Sequence, residues 1–272
     1  MDELIISVAP VPGEMQKEKF PGVLNTVDET IRSWNAGASL VHLHVRDPEL
    51  VQTSDTQWFE HDIGMIREAT DIIIEGSTGG SSQHTLADRS KSINVPGIEM
   101  GTLNLGSINM YDGVYCNPMS DIVFYAGIMK ENAVKPCLLC FDLSHYFVRE
   151  RLETEGLLDV SANHTYAFCM NVPNGMPYSD EILDIFVSRL PENSVWFLIL
   201  YHALGVRSFH HALELGGHVR VGFEDGPFVS DGSRSDSNAR LVEDVVEYAT
   251  AIGRRIASPR RSREIIGLPH DN

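Results

Sequence analysis

Two histidines two residues apart, His42 and His44, sit inside the apolar run Leu40-Val41-His42-Leu43-His44-Val45-Arg46-Asp47. A strand sends alternate side chains to opposite faces. On an extended chain His42, His44 and Arg46 therefore share one face, and Val41, Leu43 and Val45 take the other. Paired imidazoles supply much of a divalent-metal site, and a catalytic zinc takes three protein ligands and leaves a position open. The third ligand must arrive from another strand end. Glu224 is the best placed, in Gly216-Gly217-His218-Val219-Arg220-Val221-Gly222-Phe223-Glu224-Asp225, where Arg220, Gly222 and Glu224 would share a strand face. Asp225 then points elsewhere, and a carboxylate held ionised by Arg220 can serve as a general base. On spacing alone two other readings stay open: hydrogen-bonded core histidines and a structural ion pair.

Further polar groups follow other apolar runs. In Ser77-Thr78-Gly79-Gly80-Ser81-Ser82, the Ser77 and Thr78 hydroxyls and the backbone at Gly79 could hold a substrate carboxylate. Ser107 and Asn109 offer similar reach, and Glu14 could meet a cationic group or be solvated. Cys137-Leu138-Leu139-Cys140 resembles a redox pair, but residues three apart on a strand face opposite sides, so buried packing is expected. His145 and His202 could line a pocket, while His210 and His211 read as surface residues.

The elements that would carry these groups alternate along the chain. Eight strands are expected: Leu4–Ala9, Leu40–Val45, Ile72–Glu75, Ile98–Thr102, Cys137–Phe141, Tyr166–Met170, Val195–Leu200 and His218–Val221. Helical patterns fall at Thr26–Ala36, Phe59–Ala69, Ser120–Asn132, Ser179–Leu190 and Asn238–Arg254. Polar residues recur just after the strands, as in a closed barrel whose loops converge on one face. The expected fold is α/β, a (β/α)8 TIM barrel forming one domain over residues 1–272 with a C-terminal helical extension. An open doubly wound sheet is the competing arrangement.

The formal charge is −17 over 272 residues. Such a chain repels nucleic acid and anionic membranes, so neither is an expected partner. Met1-Asp2-Glu3-Leu4 lacks the basic start of a secretory leader, and no apolar run approaches the roughly 20 residues of a membrane span. Four cysteines in largely apolar settings fit a reducing, cytoplasmic compartment.

The chain resembles the β-keto acid cleavage enzyme family, which includes 3-keto-5-aminohexanoate cleavage enzyme. The likeness is carried by Ser7-Val8-Ala9-Pro10, by Ala36-Gly37-Ala38 with His42-Leu43-His44-Val45-Arg46-Asp47-Pro48, and by Ser77-Thr78-Gly79-Gly80. It continues in Gly106-Ser107-Ile108-Asn109, Val134-Lys135-Pro136, Phe141-Asp142, Gly216–Asp225, Ser237-Asn238-Ala239 and Ile265-Ile266-Gly267-Leu268. The resemblance implies a TIM barrel, one Zn2+ per subunit, a homotetramer, and condensation of a β-keto acid with acetyl-CoA as co-substrate to give acetoacetate and an acyl-CoA. Carried over by position, it implies His42, His44 and Glu224 as zinc ligands, Asp225 as base and Arg220 as the arginine that positions it. It implies substrate contacts at Ser77, with Ser107 and Asn109 lining the pocket, and places Glu14 where members acting on amino-substituted keto acids carry a glutamate. The chain departs from the family pattern at Met170–Met176 and at Leu200-Tyr201-His202-Ala203-Leu204, near where the acyl-CoA or substrate tail would lie. Two other classes stay open: a metal-dependent barrel hydrolase with His145 and His202 completing a two-metal site, and a non-catalytic zinc-containing binding protein.

Overall fold

The computed structural model describes residues 3–11, 25–79 and 84–269. Eight short runs rich in β-branched and large apolar residues form parallel strands: β1 (Ile6–Val8), β2 (Leu40–Leu43), β3 (Ile73–Gly76), β4 (Met100–Asn104), β7 (Lys135–Cys140), β8 (Thr165–Met170), β9 (Val195–Leu200) and β10 (His218–Val221). They close in the order β1-β10-β9-β8-β7-β4-β3-β2, with β2 paired back to β1. Each expected strand is present, and the closed order settles the choice against an open sheet. A two-stranded hairpin, β5 (Ile108–Met110) and β6 (Gly113–Tyr115), interrupts the barrel sequence after β4.

Helices α1 (Thr26–Ala36), α2 (Thr56–Ala69), α3 (Leu86–Arg89), α4 (Met119–Glu131), α5 (Leu143–Tyr146), α6 (Val148–Thr154), α7 (Asp180–Val187), α8 (His210–Glu214), α9 (Asn238–Ala251) and α10 (Pro259–Ile266) occupy the connections. Their ends follow local chemistry. Asn25 caps α1 by accepting from the Asp28 amide, and Gly37 ends it in the left-handed region at φ 119°. Helix α2 begins three residues before the expected Phe59, because Asp55 caps the Gln57 amide while the first turn faces outward. Among the described residues no helix is long and apolar enough to cross a membrane.

Strand alternation sorts the core into two layers. Ile5, Leu40, Ile73, Met100, Leu139, Phe197 and Ile199 fill the barrel lumen, while Val41, Ile74, Leu103, Leu138, Phe168 and Leu198 pack outward beneath the helices. Cys137 lies in the lumen layer and Cys140 in the outer one, as their three-residue spacing demands, and both are free. The C-terminal helix seals the N-terminal end of the barrel. Ile266 is fully buried, a burial worth about 1.5–3 kcal/mol, and Arg263 donates to Glu99 (2.6 Å) and to the Asp71 carbonyl (2.9 Å). Arg254 is buried too and donates to the Gly217 carbonyl at 2.6 Å. Part of the basic C-terminal stretch is thus structural.

His218, at the base of the lumen, accepts from the Ile5 amide through Nδ1 (3.1 Å), and its ring lies 5.2 Å from that of Phe197. Burial, with the Arg254 charge adding to it, pushes its pKa down to about 3. An unfolded chain takes up this proton near pH 6.5 whereas the folded chain does not. The stabilisation is therefore complete above pH 6.5 and is lost as pH falls from there toward 3. His218→Gln keeps an acceptor for Ile5 but has no titrating ring. We expect the variant to melt lower than the parent at pH 7 and the gap to narrow between pH 7 and 4.5 in thermal unfolding scans. A gap that stays constant with pH would contradict this origin.

Candidate metal centre

The site lies at the C-terminal end of the barrel strands. His42 is inward-facing on β2, and its ring centroid stands 5.1 Å from that of His44, edge to face. The strand itself ends at Leu43, earlier than expected, so His44 and Arg46 are not strand residues. His44 nevertheless stays on the side of His42, while Arg46 forms a bridge with Gln52 and donates to the Leu50 carbonyl at 2.7 Å.

Glu224 also arrives differently from expectation. Strand β10 ends at Val221, and a tight turn follows in which the Asp225 and Gly226 amides donate to the Gly222 carbonyl (3.0 and 2.9 Å). Gly222 has φ 144°, and a Cβ there would stand 2.2 Å from the Ala9 carbonyl oxygen. Only glycine accommodates both the backbone angle and that approach. The Glu224 amide then donates to Ala9 at 3.2 Å. Arg220 and Glu224 do meet, but through this turn and not along one strand face.

The histidine Nε2 atoms converge on the Glu224 carboxylate, His44 at 3.2 Å from Oε2 and His42 at 3.7 Å from Oε1. Ligands about 2.0–2.2 Å from a tetrahedral ion stand about 3.3–3.6 Å apart, so the three fit one ion with modest adjustment. Among the described residues, His42, His44 and Glu224 are the group whose ligand atoms all lie within 4.8 Å of one another. The His42 Nδ1 faces Thr102 Oγ1 (3.3 Å) and Glu75 Oε2 (3.5 Å), and Thr102 donates to Glu75 Oε1 at 2.8 Å. These partners favour a proton on Nδ1 and leave Nε2 as the ligand, the usual outer support of a metal-bound histidine. His44 is buried with no hydrogen-bond partner at Nδ1, and burial pushes its pKa down toward the neutral, ligating form. Two imidazoles and a carboxylate suit zinc better than calcium or magnesium.

Asp225 is gripped by Arg220 from two nitrogens, Nε to Oδ2 at 2.9 Å and Nη2 to Oδ1 at 2.5 Å, and Nη2 also reaches Glu224 Oε1 at 3.1 Å. Burial pushes the Asp225 carboxyl up, Arg220 opposes it, and the Glu224 charge adds to the rise. Burial acts on Glu224 in the same sense, but Arg220 and the two imidazoles outweigh it and hold Glu224 below the ordinary range. Burial disfavours the Arg220 charge too, yet the two carboxylates keep it firmly cationic.

The remaining expected residues are placed unequally. Ser77 is buried after β3 and accepts from the Gly79 amide at 3.0 Å. A Cβ on Gly79 would lie 3.3 Å from the Tyr115 hydroxyl and 3.5 Å from His44, so this backbone borders the centre. The Thr78 hydroxyl is fully buried, donating to the Thr102 carbonyl (2.6 Å) and accepting from Asn104 (3.2 Å), so it braces the loop. Ser107 and Asn109 are exposed; the Ser107 hydroxyl accepts from the Asn117 amide at 2.7 Å, and Asn109 pairs with Val114 in the hairpin. No hydrogen bond between described residues ties either to the His42–His44–Glu224 group. Glu14 and Gly80 lie outside the described residues. His145 accepts from the Phe141 amide through Nδ1 (3.3 Å) and His202 is exposed, so neither joins the three-ligand group as a two-metal hydrolase would require. Sequence reasoning missed Glu75 and Thr102. An acid ending the apolar run Ile72-Ile73-Ile74-Glu75 was the available signal, since a buried carboxylate needs a partner.

Beside the charged groups the mouth carries large apolar and aromatic side chains. Phe141 and Val172 belong to the lumen cluster, against which Ile108, Met110, Tyr115 and Tyr201 pack, and the Tyr115 and Phe141 rings stand 5.8 Å apart. On the charged side, Gly222→Ala should force the turn open, costing about 3 kcal/mol or more and displacing Glu224. The expected readouts are a lower melting temperature and weakened metal retention in dialysis. Parent-like values for both would refute this account of the turn.

Residues 3–268 match the family described as beta-keto acid cleavage enzyme. The 3-keto-5-aminohexanoate cleavage enzyme of Acetoanaerobium sticklandii is 33% identical over 280 residues, covering 98% of this chain and 99% of that protein. The 3-oxoadipate:acetyl-CoA acetyltransferase of Cupriavidus necator is 34% identical over 273 residues, covering 97% and 95%. Among solved structures, a ternary complex of ObcA with a C4-CoA adduct and oxalate is similar at a TM-score of 0.68 and 18% identity, covering 89% of this chain. This chain spans 66% of that ObcA chain, and the likeness shows the barrel alone. A family match running almost end to end, with relatives a third identical over nearly their whole lengths, establishes that the chain belongs to the β-keto acid cleavage enzyme family.

Proposed function

We propose that this protein is a zinc-dependent enzyme that condenses a β-keto acid with acetyl-CoA and yields acetoacetate and a new acyl-CoA. The observation that carries the reading is the convergence of His42, His44 and Glu224 beside the Arg220–Asp225 pair at the barrel mouth. Relatives named for cleavage of a keto acid and for transfer to acetyl-CoA support it.

In this reading the Nε2 atoms of His42 and His44 and the Glu224 carboxylate hold the ion, with Glu75 and Thr102 fixing the His42 ring. Zinc bound there would supply Lewis acidity, the chemistry that activates a ketone toward loss of its α-proton. Asp225 takes the proton from C2 of the keto acid, and Arg220 keeps that carboxylate aimed across the site. Ser77 and the backbone at Gly79 receive the substrate carboxylate, and the apolar side of the mouth receives its tail. The C2 carbanion displaces CoA thiolate from the acetyl group; the thiolate then bonds to the original carbonyl carbon and expels acetoacetate as its enolate, which takes back the proton held by Asp225. CoA itself carries the acyl group, so no protein nucleophile is required. Cys137, Cys140 and Cys169 agree with this, because burial pushes all three thiols up and away from thiolate.

Zinc-loaded protein should release acetoacetate only when both acetyl-CoA and a β-keto acid are supplied. A broad keto-acid panel that yields none would overturn the reading. Asp225→Asn should retain zinc and lose roughly 10²–10⁴-fold in turnover, the range for removal of a general base. Glu224→Gln should instead lose zinc, measured by metal analysis after dialysis. Equal zinc loss in both variants would refute the division of roles.

A further inference from the structure

Glu29 on α1 and Asn238, the first residue of α9, are both fully buried. Glu29 Oε2 accepts from the Asn238 backbone amide (2.8 Å) and from its Nδ2 (2.7 Å), while Oε1 accepts from Arg32 (3.2 Å). Asn238 Nδ2 also donates to the Pro10 carbonyl (3.0 Å), and Asn238 Oδ1 accepts from the Phe223 amide (2.9 Å). One side-chain amide therefore spans three elements: α1, the link after β1 and the turn after β10. Pro10 follows Ala9, whose carbonyl takes the Glu224 amide, and Phe223 immediately precedes Glu224.

Helix α9 does not need this arrangement for its own start. Ser237 is its N-cap and accepts from the Arg240 amide at 3.3 Å. The first helical position tolerates many residue types, so a buried asparagine engaged on every polar atom of its side chain is explained by what it joins. The amide suits the task because it offers two donors and an acceptor in one plane. Aspartate would turn a lone pair toward the Glu29 carboxylate and the Pro10 carbonyl.

We propose that Asn238, oriented by Glu29, is a positioning residue for the metal centre: it fixes the Phe223 amide against the Pro10 carbonyl and so sets where Glu224 stands relative to His42 and His44. The proposal rests on the reading of His42, His44 and Glu224 as metal ligands. Neither Asn238 nor Glu29 touches the ion or the substrate.

The test measures Zn2+ affinity by chelator competition and the visible absorption bands of the Co2+-substituted protein. Asn238→Ala should weaken Zn2+ binding roughly 10–100-fold, the range for loss of an outer support, and should shift the Co2+ bands. Leu183→Ala, a cavity in the outer layer on α7, serves as the control for general destabilisation. It should lower the melting temperature while leaving the Zn2+ affinity and the Co2+ bands as in the parent. Glu29→Gln retains one acceptor toward Asn238, so it should fold and show a smaller loss with a shifted Co2+ spectrum; it keeps the test decisive where Asn238→Ala does not fold. Parent-like affinity and spectrum in Asn238→Ala, or in Glu29→Gln where that variant stands in, overturn the clamp and leave the metal centre intact. An affinity loss no greater than that of Leu183→Ala also overturns it. A parent protein that binds neither ion removes the centre, and the clamp with it.

Discussion

The structure turns on a guanidinium placed inside a barrel. Arg220 points into the lumen from β10, almost wholly removed from water, and a charge there is tolerable only with close partners. Asp225 and Glu224 provide them, and both reach Arg220 because the chain reverses at Gly222 directly after the strand. Removing either carboxylate would leave part of a buried charge uncompensated. The ion pair therefore constrains the turn, and the turn places Glu224 beside the two histidines. Arg220 and Arg46 face Glu75, Glu224 and Asp225, so the cluster is net negative and favours a cation.

Such a cluster needs a rigid frame, and the barrel divides that labour between its ends. At the N-terminal end, α10 closes the lumen, Arg263 and Arg67 share Glu99, and Arg254 binds the carbonyls before β10. These cations are committed to the structure. At the C-terminal end the partnered charges gather instead around the His42, His44 and Glu224 group. The lumen layer of Leu40, Ile73, Met100, Phe197 and Ile199 lies between, so the charged cluster rests on an apolar floor. That floor keeps the local dielectric low and strengthens each interaction above it.

How much of this could be read from the sequence follows the range of the interaction concerned. The eight strands were legible because both barrel layers require apolar side chains, which leaves continuous runs such as Val195–Leu200. The grouping of His42, His44 and Glu224 was legible because His42-Leu43-His44 and Glu224-Asp225 concentrate polar side chains in short motifs. The path to Glu224 was not, because it depends on the close approach of Gly222 to Ala9, more than two hundred residues away in the chain. Glu75 escaped notice for a related reason: it meets His42 through the β2–β3 register, which pairs those two residues and has no local signature. The strands of the hairpin are three residues each, too short to show a period, so nothing in the sequence places Asn109 on a strand or Ser107 just before one.

The division of the mouth decides where side chains can change without disturbing the charged cluster. The charged half is built by β10, β2 and β3, whose side chains are tied to one another and to the clamp around Asn238. The other half is built from the ends of β7, β8 and β9, where Phe141 meets Tyr115 of the hairpin and Val172 and Tyr201 join the same apolar cluster. Exchange of an apolar residue there alters shape and polarity without stranding a buried charge, whereas exchange in the charged half does both. The loops after β8 and β9, where Val172 and Tyr201 lie, are therefore where residues can change while the Arg220 pair stays in place.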